Sequence, residues 1–143
     1  EEAIRRHEQT AKLRGQTLRS DSCKGSVRVF ADQEALTQVI DNLIDNGLKY
    51  TPDDREIVVR VLRNGKVATL EVEDSGVGIP LEDQARIFER FYRVDKARSR
   101  AVGGTGLGLS IVKHLAQAMD GSVELKSQPG KGSIFRVKLR LVE

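Results

Sequence analysis

Three polar residues stand at helical spacing in the segment "LTQVIDNLIDNGLKYTP": Asn42, Asn46 and Lys49. At helical periodicity they share one stripe along the edge of the segment's apolar face, while Asp41 and Asp45 point further out. Amide oxygens are neutral ligands that suit Mg²⁺, and a lysine suits a phosphate group. Solvated side chains would show the same pattern. The spacing therefore leaves two interpretations open, a metal-and-phosphate stripe and an ordinary polar edge.

A buried carboxylate is predicted at the end of an apolar strand. In "VATLEVEDSGVGIP", Leu70 and Val72 alternate onto one face, and Asp74 follows them by the two-residue period of a strand. A carboxylate in that position is costly unless a group donates to it. Either Asp74 caps the following turn through backbone N–H groups, or it accepts from an exocyclic amine such as that of adenine. In the second case Gly76 and Gly78 clear room for a flat base.

Four glycines fall within six positions at the start of a predicted helix, "GGTGLGLSIVKHL". Gly104, Gly106 and Gly108 leave free N–H groups at the helix N-terminus, where the helix dipole favours an anion such as phosphate. Their spacing differs from the dinucleotide-binding fingerprint, and the sequence contains no P-loop motif. The glycines alone are therefore a weak signal.

The loop before these glycines is strongly basic. Arg93, Lys96, Arg98 and Arg100 stand there against a single acidic residue, Asp95, and such a loop beside a phosphate site favours a lid that closes over an anion. The whole chain has a net charge of +3, which is too small an excess to predict nucleic-acid binding. The stripe, the carboxylate, the glycines and the lid together predict an ATP·Mg²⁺ site.

The remaining patterns predict the elements that position these residues. The 143 residues, 38% of them hydrophobic, fit one compact domain, and the single cysteine excludes an internal disulfide. The predicted elements are a helix over 1–14, strands over 16–21 and 26–32, a helix from Gln33 with Asp32 as N-cap, strands over 56–62 and 67–76 joined at Asn64-Gly65, helices over 81–92 and 105–119, and strands over 122–127 and 133–141. This order predicts one mixed sheet with helices on one face.

Five segments resemble, in order, the sequence boxes of the catalytic ATP-binding domain of bacterial sensor histidine kinases. "NLIDNGLKYTP" is similar to the N-box, "DSGVGIP" to the G1 box, "IFERFYR" to the F-box, "GGTGLGLSIVKHL" to the G2 box and "GKGSIF" to the last glycine turn. The resemblance implies the Bergerat (GHKL) two-layer α/β sandwich of gyrase, mismatch-repair and heat-shock chaperone ATPases, with a mixed five-stranded sheet and three main helices on one face. It places the domain at 15–143, after a helix end or linker at 1–14.

Carried over motif by motif, the resemblance implies that Asn46 is the Mg²⁺ ligand, with Asn42 beside it at the phosphates. Asp74 accepts from the adenine amine, and Arg93, helped by Lys96, reaches the γ-phosphate. Asn46, Lys49 and Arg93 form the implied catalytic set. The other implied nucleotide contacts are Lys49 and Tyr50 along the phosphate and ribose, Gly76, Gly78 and Ile79 around the base, Gly104, Thr105, Gly106, Leu107 and Gly108 at the phosphates, and Ser133 near the adenine. Phe88 and Phe91 are implied lid anchors.

The position of Asn42 favours a kinase over an ATPase. In the hydrolytic relatives a glutamate stands one helical turn before the Mg²⁺-binding asparagine and activates a water, and Asn42 cannot act as a base. The resemblance therefore implies transfer of the γ-phosphate to a histidine outside this chain, since His7 lacks the proline that follows the family's acceptor. His114 is interpreted as structural. A serine kinase, an ATPase or a nucleotide-binding domain without activity of its own remain alternatives.

The implied partners follow from two-component signal transduction. We expect ATP or ADP and Mg²⁺ as ligands, and a dimerisation and histidine-phosphotransfer domain of the same parent protein as acceptor, with a cognate response regulator downstream. The chain begins without methionine, so we expect it to be a piece of a longer protein. We also expect this piece to be monomeric. It would be a cytoplasmic domain of a membrane-anchored sensor, with no direct membrane or nucleic-acid contact of its own.

Overall fold

A mixed five-stranded sheet is the frame of the computed structural model, which describes residues 1–94 and 105–142. The strands are β1 (Thr17–Ser20), β2 (Glu56–Asn64), β3 (Val67–Asp74), β4 (Ser122–Gln128) and β5 (Gly132–Arg140). Their spatial order is β1-β2-β3-β5-β4. β1 runs parallel to β2, and the other neighbours are antiparallel. The predicted α/β fold with a mixed five-stranded sheet is confirmed.

Among the described residues, four helices accompany the sheet: α1 (Glu2–Leu13), α2 (Gln33–Tyr50), α3 (Leu81–Gln84) and α4 (Gly108–Ala118). The predicted N-cap of α2 is confirmed, because the Asp32 carboxylate accepts from the backbone N–H of Ala35 at 2.8 Å. In the part of the chain that is described, no helix is long and apolar enough to cross a membrane.

One face of the sheet packs against α1, α2 and α4 and forms the core. Strand alternation places Val72, Phe135 and Val137 on this face, where each is almost fully buried. The helices contribute these buried residues: Ala3 and Ala11 from α1, Val39, Leu43, Ile44 and Leu48 from α2, and Val112 and Ala116 from α4. The opposite face is charged, since Glu71 on β3 pairs with Arg60 and Arg136 on the flanking strands.

α1 is docked on α2 by a polar cluster as well as by its buried alanines. The Asp41 carboxylate contacts the Arg6 guanidinium and the His7 ring, each at 3.0 Å. The helix at 1–14 thus shares its core with the rest of the fold, and the predicted domain boundary between residues 14 and 15 stays a prediction.

The strand predicted over 26–32 is wrong. This segment makes only an isolated bridge between Val29 and Leu141, because β1 pairs with β2 and not with the residues that follow it. The chain after β1 stays on the same edge, where the N–H groups of Asp21 and Cys23 donate to the carbonyls of Val59 and Val61, each at 3.0 Å. Residues 21–26 therefore do not connect two strands of the sheet.

The helix predicted over 81–92 ends at Gln84. The turns that follow are closed by backbone hydrogen bonds between residues three positions apart, such as the bond from the Glu89 N–H to the Arg86 carbonyl at 2.9 Å. Phe91 has a left-handed backbone at φ 64°. This tighter path buries Ile87 and sets the Phe88 ring edge-on to Phe135, with centroids 6.2 Å apart. The helix predicted over 105–119 begins at Gly108, three residues later than expected, and ends at Ala118.

Candidate functional site

A cavity of about 530 Å³ opens where α2, the start of α4 and neighbouring ends of β3 and β5 meet. Most of the sequence-predicted site residues line it: Asn42, Asn46, Lys49, Tyr50, Asp74, Gly78, Ile79, Arg93, Thr105, Gly106, Leu107, Gly108 and Ser133. Lys96 and Gly104 lie outside the described residues. The volume lies within the range of small-molecule sites.

Asp74 is the buried acid of the cavity, with 8% of its surface exposed. It pairs in register with Ser133 on β5, and its Oδ1 accepts from the backbone N–H of Gly76 at 3.0 Å. Burial raises the pKa of Asp74 to about 6, against the opposing hydrogen bonds from the N–H groups of Gly76 and Ser133. Asp74 therefore both caps its turn and lines the cavity, so the two interpretations of this residue are compatible.

The loop after β3 forms one wall of the cavity and is pressed against the β4–β5 turn. Gly78 has φ +73°, and a Cβ there would lie 2.2 Å from the carbonyl oxygen of Gln128, so only glycine fits. The N–H of Gly130 donates to the carbonyl oxygen of Val77 at 2.8 Å. Gly76 lies behind this wall and does not line the cavity, since it packs against Tyr50 and Asp74.

The polar stripe of α2 forms the second wall. Asn42, Asn46 and Lys49 all reach the cavity, and Asp45, which was expected to point further out, lines it as well. The Asp45 carboxylate contacts the Lys49 ammonium at 2.9 Å. This pair lies one helical turn apart, so it keeps the lysine aligned along α2.

The start of α4 faces this stripe. A Cβ at Gly108 would lie 3.3 Å from Asn42 Oδ1, which places the helix N-terminus beside the amides of α2. Leu107 is the N-cap of α4, and its apolar side chain cannot accept from the first N–H groups of the helix. The N-terminal N–H groups and the helix dipole suit an anion at this end of the cavity.

A divalent cation fits this donor set only together with an anionic ligand. Among residues 1–94 and 105–142, no three His, Cys, Asp or Glu side chains gather closely enough to hold a metal ion. Asn46 is an oxygen donor on the cavity wall, and Mg²⁺ is commonly held by one or two protein oxygens plus the phosphates of its substrate. The site thus suits Mg²⁺ that arrives with phosphate groups.

Several lining residues were not predicted from the sequence. They are Asp45, Val77, Pro80, Ile87, Tyr92, Val94, Leu109, Ile111, Pro129 and Phe135. Phe135 lies in the strand predicted over 133–141, but nothing local indicated that Pro129 and Phe135 would line this cavity. They reach it because β5 is inserted between β3 and β4.

A family model and curated protein sequences match this chain. Residues 31–143 match the family described as "Histidine kinase-, DNA gyrase B-, and HSP90-like ATPase". The Mycolicibacterium smegmatis protein "Sensor-like histidine kinase SenX3" is 44% identical over 138 residues, which cover 96% of this chain and 36% of that protein. The chain spans about a third of the length of the curated relatives it matches first.

Solved structures of histidine kinases share the fold. "Mycobacterial sensor histidine kinase MprB" superposes with a TM-score of 0.82 at 28% identity, covering 98% of this chain and 94% of that one. The full-length ShkA structure in complex with AMPPNP superposes with a TM-score of 0.84 at 26% identity, covering 99% of this chain and 29% of that one. The likeness extends over all the elements that form the cavity.

Proposed function

Since the chain belongs to the family of histidine kinase-, DNA gyrase B- and HSP90-like ATPases, we propose that it binds ATP with Mg²⁺ and donates the γ-phosphate to a histidine. The acceptor stands on a separate dimerisation and phosphotransfer domain of the parent protein. A cognate response regulator then receives the phosphoryl group, in the cytoplasm, from a membrane-anchored sensor. AMPPNP bound to the similar ShkA structure supports the choice of nucleotide.

The observation that carries this proposal is that one cavity holds groups for both ends of a nucleotide. The buried carboxylate of Asp74 stands at one wall, and the amides of Asn42 and Asn46 line another together with the start of α4. The carboxylate is an acceptor for the adenine amine, with Gly78 and Ile79 beside the base. The amides, Lys49 and the helix N-terminus suit the phosphates.

In this proposal each group of site residues has a separate role in phosphoryl transfer. Asn46 holds Mg²⁺, which neutralises charge on the phosphates when it is bound. Lys49 and Arg93 orient the γ-phosphate, with Lys96 as a further cation, while Gly104, Thr105, Gly106 and Gly108 hold phosphate oxygens by their backbone. Such a reaction depends on positioning and charge stabilisation more than on a protein base. Asn42, one turn before Asn46, cannot take a proton from water, so we expect little hydrolysis.

The test is phosphoryl transfer in trans. The chain is mixed with γ-labelled ATP, Mg²⁺ and a separately produced helical-hairpin domain of the parent protein that carries the acceptor histidine. We expect acid-labile label on the hairpin, no label when Asn46 is replaced by alanine, and negligible release of free phosphate without the hairpin. Rapid ATP hydrolysis by the chain alone, unaffected by Asn46→Ala, would contradict the proposal.

A further inference from the structure

Two side chains outside the cavity lining form hydrogen bonds with the backbone of one residue of the cavity wall, Ile79. The hydroxyl of Ser127 on β4 accepts from the Ile79 N–H at 2.8 Å, and the amide of Gln84 on α3 donates to the Ile79 carbonyl at 2.9 Å. Ile79 lies in the loop after β3 that lines the cavity. Both backbone polar groups of this wall residue are therefore satisfied by side chains and not by regular secondary structure.

The same two residues are joined to each other and to β5. The second N–H of the Gln84 amide donates to the Ser127 carbonyl at 3.1 Å. The Ser127 hydroxyl also contacts the Ser133 hydroxyl at 2.8 Å and the Gly132 carbonyl at 3.1 Å. A hydroxyl carries one proton and two acceptor sites, so Ser127 has its capacity filled. A partly buried hydrogen-bond network of this kind holds one geometry when every member is satisfied.

This arrangement acts at one end of the cavity only. Its direct partners are Ile79, the strand ends and Ser133, and its connection to Asp74 runs through the Asp74–Ser133 register pair. The groups suited to phosphates lie on α2 and at the start of α4, and their contacts, such as Lys49 with Asp45, do not include Gln84 or Ser127. Loss of the hydrogen bonds to Ile79 therefore moves the wall beside the base and leaves in place the protein groups that suit the phosphates.

We propose that Gln84 and Ser127 are positioning residues that hold the backbone of Ile79 on both sides of its Cα and thereby set the selectivity of the site for adenine over other purine bases. The inference rests on the proposed nucleotide binding. When the N–H and the carbonyl of Ile79 are both held, the wall keeps a constant distance to Asp74. A base whose amine faces the carboxylate is then accepted, and a base with a carbonyl at that position is rejected. A relaxed wall admits both.

The experiment compares dissociation constants for ATP and GTP in the presence of Mg²⁺. Ser127→Ala removes the acceptor of the Ile79 N–H, and Gln84→Met keeps side-chain length but removes both donors. For each variant we expect about tenfold weaker ATP binding, the typical effect of losing the one hydrogen bond that fixes the Ile79 backbone on that side, with GTP affinity unchanged or improved. Ser127→Thr, which keeps the hydroxyl, restores the preference. Ser122→Ala on β4 and Gln117→Met on α4, both at exposed positions, are the matched controls and leave it unchanged.

A phosphate-end variant separates selectivity from general weakening. Asn46→Ala is expected to weaken ATP and GTP by the same factor, so that their ratio stays at the wild-type value. If Ser127→Ala and Gln84→Met also leave the ratio unchanged, whether or not they bind more weakly, the inference is overturned while the proposed function stands. If the unaltered chain binds no ATP, the proposed function fails, and the inference fails with it.

Discussion

The backbone N–H of Phe91 donates to the carbonyl oxygen of Gly106 at 2.7 Å and ties the turns after α3 to the entry of α4. Both residues have left-handed backbones, at φ 64° and φ +76°. The approach is so close that a Cβ at position 106 would lie 2.8 Å from the Phe91 Cα. Tyr92 and Gly106 line the same cavity, so this contact fixes one wall relative to another.

Gly106→Ala is expected to break this tie. The added methyl group combines a left-handed backbone with a steric clash, so we expect the free energy of unfolding to fall by about 1–3 kcal/mol and nucleotide affinity to fall at least tenfold. Urea denaturation and calorimetric titration with an ATP analogue measure the two effects. Gly65→Ala is the matched control, because Gly65 has φ +60° with no heavy atom within 4 Å of an added Cβ. Equal loss of affinity in both variants would show that the contact between Phe91 and Gly106 does not position the cavity walls for nucleotide binding.

Asp74→Asn is expected to abolish nucleotide binding and to stabilise the ligand-free fold at neutral pH. The pKa of Asp74 rises from 3.8 to about 6 on folding, so the folded state binds this proton more tightly than the unfolded state. The stability contributed by the protonated form is complete below pH 3.8 and is lost as the pH rises through 6. We expect the variant to be roughly 1–3 kcal/mol more stable than the wild type at pH 8.

Urea denaturation of both proteins at pH 8 and at pH 4 checks this difference. The gain from Asp74→Asn should shrink at pH 4, where the wild-type carboxyl is also neutral. A variant that is less stable than the wild type at pH 8 would show that the carboxylate has a structural role that outweighs the cost of its burial.

Binding of the base should weaken in mild acid. Donation from an exocyclic amine favours the ionised carboxylate, so affinity is expected to be constant above about pH 7 and to fall below the pKa of about 6 for Asp74, approaching tenfold per pH unit. Phosphate groups titrate in the same range, so the ligand in this series is adenosine, followed by NMR titration. Adenosine affinity that does not change between pH 5 and pH 8 would exclude Asp74 as the acceptor.

Asn46→Ala should remove the metal dependence of nucleotide binding. Since no acidic or histidine cluster in the described residues could replace Asn46 as an anchor, we expect Mg²⁺ to enhance ATP affinity in the wild type and to add little in the variant. Without Mg²⁺ the two proteins should bind ATP within a factor of about two. Titrations with and without Mg²⁺ measure the difference, and an undiminished Mg²⁺ effect in the variant would place the ion on other ligands.

The parts of the site that obey a local period were predictable from the sequence. The 3.6-residue period placed Asn42, Asn46 and Lys49 along one edge of α2, and the two-residue period turned Asp74 inward. Each follows from the geometry of a single element, which the local sequence determines.

The parts that depend on pairing between distant segments were not predictable. Parallel pairing of β1 with β2 leaves the strand predicted over 26–32 outside the sheet, and the left-handed backbone at Phe91 accompanies its bond to Gly106. The hydrogen bond from the Ile79 N–H to the Ser127 hydroxyl joins residues that are 48 positions apart. Such contacts appear in no window of the sequence, because they require the completed sheet.

That separation along the chain has a kinetic consequence. The wall around Ile79 can form only after β4 and β5 have joined β3, and contacts of this length close late because their loop entropy must first be overcome. A ligand that needs this wall recognises a molecule whose sheet is already assembled. Nucleotide should therefore slow unfolding and leave the folding rate almost unchanged.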